Sequence, residues 1–385
     1  MKLPKKLAEK LKERKENNAF RFLGAIDCKI DFSSNDYLGL SKSALLFEQA
    51  HECLKNRGIK TNGATGSRLL SGNSLLYIDV ETKIKEIHDS EAAILFNSGY
   101  DANLGFFEAV PQRGDIIFFD EYIHASIRDG IRLSNAKSYK FKHNSLEDLK
   151  KKIEASTTLS YLSVVYVVTE SVFSMDGDSP DLKGFSNLCT ANNYKLVVDE
   201  AHALGVFGGG KGLLEELEIQ SEVFARMVTF GKGLGCHGAA ILGSVSLKEY
   251  LINFARSFIY TTALPPQSLV TITTAYDLLF DVDGQERREK LLENIQFFKE
   301  KLIGLGLETE FIESNSAIHC CVISGNEKVK KVAGKIQEKG FDVKPILSPT
   351  VPKGEERLRI CLHTYNTQEE IISLLKQLAS LIFKE

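Results

Sequence analysis

The middle of this chain is a series of short apolar runs separated by stretches with helical period. The runs are Ala92–Asn97, Asp115–Asp120, Leu162–Thr169, Lys195–Asp199, Met227–Phe230 and Ala239–Gly243. Most are continuously apolar rather than alternating, which predicts strands covered on both faces by helices. Strand and helix in alternation give an α/β domain with a mostly parallel sheet. Such sheets take ligands at the carboxyl ends of their strands. The polar residues there are therefore the first candidates: Asn97-Ser98-Gly99, Glu170, Asp199-Glu200 and Lys232.

The pattern changes at Pro265-Pro266, where two prolines interrupt regular structure. A long helical stretch is expected from Ser268 to Leu305. It is followed by strands at His319–Ile323 and Leu358–Leu362 and a closing helix at Gln368–Phe383. The expected division is an N-terminal arm over 1–40, a large domain over 41–267 and a smaller α+β domain over 268–385. The arm is read as a helix followed by a short strand pair around Ile30–Phe32.

Charge is nearly balanced, with 48 Lys+Arg against 51 Asp+Glu, so nothing favours nucleic acid or an acidic membrane surface. No apolar run approaches the ~20 residues needed to span a bilayer. The basic start of the chain lacks the apolar core of a secretory signal. Seven scattered cysteines without a Cys-x-x-Cys pair suit reduced thiols in a cytoplasmic protein and give no metal-binding pattern.

Two glycine-rich segments invite a nucleotide reading. Gly205 to Gly212 nearly matches a phosphate loop, but Gly212 stands where a Ser or Thr hydroxyl is needed. Gly233 to Gly238 matches G-x-G-x-x-G by letter, but a strand follows directly and leaves no room for the helix. Turns between elements are the better reading of both.

Asp199, His202 and Lys232 make a stronger set. Taken singly, Asp199 could cap a helix starting at Glu200, and Lys232 could be a surface lysine. Together, a carboxylate and an amine at strand ends suit a cofactor with a pyridinium nitrogen and a carbonyl that the amine can hold covalently. At this point the sequence resembles the α-oxoamine synthases, pyridoxal phosphate enzymes that condense an amino acid with an acyl thioester and release CO₂. The resemblance rests on Val197–Gly205 and Thr229–Gly233, with Asp31–Leu40, Gly66–Gly72, Asn97–Asn103, Asp120–Ser126, Thr169–Asp178 and Tyr260–Pro266 in the same order.

It implies a fold-type-I transferase: a large domain with a mostly parallel seven-stranded sheet, and a smaller α+β domain. It implies that Lys232 holds pyridoxal 5'-phosphate, Asp199 faces the ring nitrogen, His202 the ring hydroxyl, and His124 the ring face. Lys232, His124 and Asp199 would be catalytic. Ser174 and Glu170 would be further cofactor contacts. The Gly99-Tyr100 backbone and Thr229 would hold the phosphate, with Thr261 or Thr262 reaching in from the second subunit of a homodimer. Asn35 and Arg359 would take the amino acid's carboxylate, and Arg21 and Thr350 would touch substrate.

Two departures stand out: Gly231 where the family usually has Ser, and His363-Thr364-Tyr365-Asn366 after Arg359. Gly63–Gly72 resembles the branch that uses alanine and a pimeloyl thioester, with serine palmitoyl transfer and glycine C-acetyl transfer as rivals. A cofactor-binding protein without turnover is the reading from another class. Intact Lys232, Asp199, His202 and His124 speak against it.

Overall fold

The computed structural model describes residues 3–21, 23, 29–156 and 163–383. They fall into two compact units: 35–174 with 179–289, and 1–34 with 175–178 and 290–385.

The larger unit is built on a seven-stranded sheet. Its order is Ala92–Phe96, Ala239–Gly243, Ala225–Thr229, Lys195–Asp199, Val165–Glu170, Ile116–Asp120, Lys137–Phe141. Ala239–Gly243 is antiparallel to both neighbours, and the other pairings are parallel. The central strands Val165–Glu170 and Lys195–Asp199 are buried almost throughout, as their unbroken apolar sequence requires. Helix Gly99–Ala109 packs Ala102, Phe106 and Phe107 into the core beside Ile94, Val168 and Met227.

Lys137–Phe141 was not among the expected strands. It is an edge strand, exposed from Lys137 to Lys140, so it carries lysines instead of an apolar run. The expected strand at Leu162–Thr169 runs from Val165 to Glu170, and Leu162 lies outside the described residues.

The stretch from Ser268 to Leu305, expected as one helix, is two: Pro266–Leu279 and Val282–Gly304. Asp281 ends the first and caps the second, its Oδ1 accepting from Gly284 N at 3.0 Å. The division between units falls at Lys290, later than Pro265-Pro266 suggested.

The smaller unit holds an antiparallel sheet of Lys344–Ile346, Arg357–Cys361 and Ile318–Val322. Ile30–Asp31 pairs in parallel with Phe341–Asp342, so residues 1–34 belong to this unit and are not a separate arm. Buried Phe32 sits 6.1 Å from Phe341, ring to ring, and its carbonyl accepts from Cys361 N at 2.8 Å. His363, after the sheet, sits 3.0 Å from Asn366 Oδ1 through Nδ1 and 3.0 Å from the Ser34 carbonyl through Nε2. Asn294 Nδ2 donates to the carbonyls of His363 and Asn366, each at 2.9 Å. The unusual His363–Asn366 stretch is thus a turn tied to residue 34 through its buried ends, His363 and Asn366. Among the described residues no helix is long and apolar enough to cross a membrane.

Candidate active site

The site residues of the larger unit stand where neighbouring strands end. Glu170 and Asp199 are cross-strand partners in the last positions of their strands. Buried Glu170 accepts the backbone N–H of His124 through Oε1. Burial, with Asp199 beside it, pushes the Glu170 carboxyl well above the usual range.

Asp199 Oδ1 accepts from Ala201 N at 2.9 Å, closing the turn after its strand; no helix begins at Glu200. Its Oδ2 accepts from Asn103 Nδ2 at 2.8 Å. The turn carries His202 to Lys232, with Nζ 2.7 Å from His202 Nε2. His202 Nδ1 lies 2.6 Å from the hydroxyl of buried Tyr37, which donates to Asn35 Oδ1 at 3.2 Å. Asp199 and Lys232 both act on His124 electrostatically. Burial lowers that imidazole below its ordinary range, Asp199 opposes the fall, and Lys232 adds to it.

Asn35, His202 and Lys232 are thus joined through Tyr37, and Asp199, His124 and Glu170 through Asn103 and Ser126, with Lys232 acting electrostatically on His124 between the two groups. Tyr37, Asn103 and Ser126 were missed from sequence. Tyr37 lies inside a segment that carried the resemblance. Asn103 and Ser126 also lie inside such segments, at positions to which no role was given. Tyr100 is exposed and its hydroxyl donates to Asp129. Ser174 follows the strand Val165–Glu170 by four residues and is half-buried.

Glycines set the loop geometry. A Cβ on Gly233 would come within 2.5 Å of the Leu204 carbonyl, and one on Gly235 within 2.2 Å of Ser41 N. The G-x-G-x-x-G letters thus serve close backbone packing between two antiparallel strands. At Gly212 a Cβ would lie 2.7 Å from a Glu200 carboxylate oxygen, and the run from Gly208 to Gly210 is a short turn. Glu200 itself is buried against Arg226, 2.6 Å away. Neither segment is a nucleotide loop.

The group that the sequence implied fits this arrangement, and Gly99 is the test. It opens helix Gly99–Ala109, where a Cβ would sit 3.6 Å from Thr229 Oγ1. Lacking one, it leaves a helix N-terminus and a hydroxyl facing the same space, which suits a phosphate. Asn97 Nδ2 donates to Thr261 Oγ1 at 3.0 Å and to the Thr262 carbonyl at 2.7 Å, next to that helix start.

The remaining candidates belong to the smaller unit. Arg359 is buried in its sheet and donates from Nη1 to Cys361 Sγ at 2.8 Å. Arg21 and Thr350, both expected at the substrate, meet each other: Arg21 Nη2 donates to Thr350 Oγ1 at 3.2 Å.

Comparison with known proteins bears on the chain as a whole. A protein of Emericella nidulans named 8-amino-7-oxononanoate synthase is 39% identical over 97% of this chain and 94% of its own length. The structure of serine palmitoyltransferase from S. paucimobilis, with a bound PLP–myriocin adduct, superposes with a TM-score of 0.87. It is 26% identical, over 99% of this chain and 97% of its own. 8-Amino-7-oxononanoate synthase from Francisella tularensis gives 0.78 at 30% identity, over 93% of this chain and 99% of its own. The aminotransferase class I and II family matches residues 27–377. The chain therefore belongs to the aminotransferase class I and II family and has the fold of its pyridoxal phosphate-dependent transferases.

Proposed function

We propose that this protein joins L-alanine to a pimeloyl thioester, on CoA or an acyl carrier protein, giving 8-amino-7-oxononanoate, CO₂ and the free thiol carrier. This is a step of biotin biosynthesis. The observation that carries the reading is the 39% identity, along nearly the whole of both chains, to a protein of that name. Pyridoxal phosphate, when bound, supplies the electron sink that lets the amino acid's Cα carry negative charge.

The chain's own residues do the rest. Lys232, its amine held by His202, would hold the cofactor covalently, and once the amino acid's own amine has displaced it the free amine would move the proton at Cα. The Asp199 carboxylate keeps a proton on the ring nitrogen facing it. His124 covers the ring face and His202 meets the ring hydroxyl, with Ser174 and Glu170 supporting. The Gly99-Tyr100 backbone and Thr229 hold the phosphate. Thr261 or Thr262 completes that cradle from a second copy of the chain, so the working unit is a homodimer. Arg359 and Asn35 take the amino acid's carboxylate, since a guanidinium grips one with two bonds. Arg21, with Thr350, meets the acyl substrate, whose second carboxylate distinguishes pimelate from palmitate. The compartment is the cytoplasm, in keeping with six described cysteines that form no disulfide.

Serine palmitoyl transfer is the second reading, favoured by the higher TM-score of 0.87. Backbone likeness reports the scaffold, and substrate choice lies in side chains, so sequence identity weighs more here. The test is thiol release from purified protein loaded with cofactor. Alanine with pimeloyl-CoA is expected to exceed serine with palmitoyl-CoA by at least about 10-fold, the value of one charged hydrogen bond. The reverse order moves the assignment to sphingoid-base formation.

A further inference from the structure

Asn103 sits one turn into helix Gly99–Ala109, buried among Ala102, Phe106 and Phe107. Its amide nitrogen has two hydrogens, and the structure uses both. One goes to Asp199 Oδ2 at 2.8 Å and the other to Ser126 Oγ at 3.0 Å. Ser126 Oγ in turn lies 2.7 Å from His124 Nδ1, and the Ser126 backbone N–H donates to that same nitrogen at 3.2 Å.

The direction of every bond in this chain follows from its first member. An ionised carboxylate only accepts, so the amide must turn its nitrogen towards Asp199. Ser126 Oγ then accepts, and its single hydrogen remains for His124. A ring nitrogen that receives two donors presents its lone pair, so the hydrogen of the neutral ring is on the other nitrogen. The arrangement is held against a penalty. Asn103 Oδ1 is buried and has no hydrogen-bond partner among the described residues. An unmet buried acceptor is costly. Turning the amide over would set that oxygen against the carboxylate.

We propose that Asn103 is a positioning residue: one amide aims the Asp199 carboxylate and, through the Ser126 hydroxyl, fixes the hydrogen of His124 on Nε2. The proposal rests on the reading of Asp199 and His124 as the ring-nitrogen and ring-face residues. It adds that the two are set together. Burial lowers the basicity of His124, the direction the scheme requires.

Two measurements test it. The first is ¹⁵N NMR of histidine-labelled protein prepared without cofactor. The second is the dissociation constant of pyridoxal phosphate, followed by fluorescence. In the unaltered protein, His124 is expected to show an unprotonated Nδ1 and a protonated Nε2. A protonated Nδ1 overturns the proposal. Asn103→Leu should average the two nitrogen signals and weaken pyridoxal phosphate about 10-fold, the scale of a lost hydrogen bond to a charged group. Asn103→Ser, which adds no bulk, is made alongside in case the leucine variant does not fold, and the same loss is expected. Ser126→Ala should move the His124 signals. Asp199→Asn serves as the reference. If it binds the cofactor as tightly as the unaltered protein, the ring-nitrogen reading itself fails. If it weakens binding while both Asn103 variants bind normally with unmoved His124 signals, only the positioning role of Asn103 is overturned.

Discussion

The two units hold their candidate site residues in different ways. In the larger one, Glu170, Asp199 and Thr229 are the last residues of buried strands, and Lys232 follows three residues after one of them. The sheet fixes where they stand, because its central strands are apolar up to their final positions. In the smaller unit Arg359 sits inside a strand, opposite Cys320 and Lys344, with Arg357 two residues away on the same face. Arg357 is buried in an ion pair with Asp176 and donates from Nε to the Glu355 carbonyl at 2.8 Å. Two like residues on one strand face thus have different partners, Cys361 for Arg359 and Asp176 for Arg357. Chemistry placed by strand ends is readable from a pattern. Chemistry placed by a neighbour's charge is not.

The largest effect belongs to the larger unit. Lys232→Ala removes both the covalent hold and the proton-moving amine. Thiol release is expected to fall at least about 10³-fold, within the range of a lost acid–base group. The yellow colour of the lysine-bound cofactor should go with it. A variant that keeps its colour and turns over at more than a tenth of the original rate would remove Lys232 from its role. Arg359→Lys asks the matching question of the smaller unit. A lysine keeps the charge but cannot make the paired bonds of a guanidinium. The KM for alanine should rise about 10-fold, with kcat changed far less. An unchanged KM would put Arg359 with Arg357, as a residue that holds the fold.

The same contrast explains what the sequence could and could not say. Lys195–Asp199 and Ala239–Gly243 have the bounds expected of them, because an apolar run in a covered sheet leaves no other register. Lys137–Phe141 escaped notice because an edge strand has no apolar signature. The helix break at Asp281 was hidden by apolar period on both sides, although Asp281 followed by Gly284 is a capping signal. Lys232, Asp199 and His202 stood out by residue type and place. His124, Arg359, Arg21 and Thr350 were reachable only by resemblance. Tyr37, Asn103 and Ser126 were not reached, since burial and hydrogen bonding to a distant carboxylate or imidazole leave no periodic trace.

A smaller effect concerns stability in the smaller unit. His319 is buried, 4.5 Å from the Phe298 ring, with Nε2 lacking a hydrogen-bond partner among the described residues. Burial pushes its pKa down to about 3. An unfolded histidine titrates near 6.5. Between those values the unfolded chain holds the extra proton, so acid favours unfolding. The stability from this group is complete above about pH 6.5 and is lost as pH falls towards 3, by at most about 1.4 kcal/mol per pH unit. Urea unfolding of His319→Leu should therefore depend less on pH between about 6 and 4 than that of the unaltered protein. Equal slopes would mean that His319 is not held neutral by the fold.

The smallest effect returns to the lysine loop, where the two glycines flanking Lys232 should respond in opposite ways. A Cβ on Gly231 would meet only the Cys236 carbonyl oxygen, at 3.5 Å, an ordinary contact. Its backbone is not among those with positive φ. Glycine at this position is thus not required by the space around a Cβ, and Gly231→Ser adds a hydroxyl next to Lys232. The substitution also restricts the unfolded chain, which is worth about 0.4–1 kcal/mol for a glycine replaced at a compatible site. One new neutral hydrogen bond would tighten pyridoxal phosphate about threefold. Gly233 is the opposite case, because its Cβ would press within 2.5 Å of the Leu204 carbonyl, two residues beyond His202. Gly233→Ala must displace that backbone, and with it the 2.7 Å contact between His202 and Lys232. Cofactor titrations of the two variants should therefore diverge, tighter for Gly231→Ser and weaker for Gly233→Ala. Weaker binding by Gly231→Ser, beside normal binding by Gly233→Ala, would mean that the lysine loop is not held by its packing against the His202 turn.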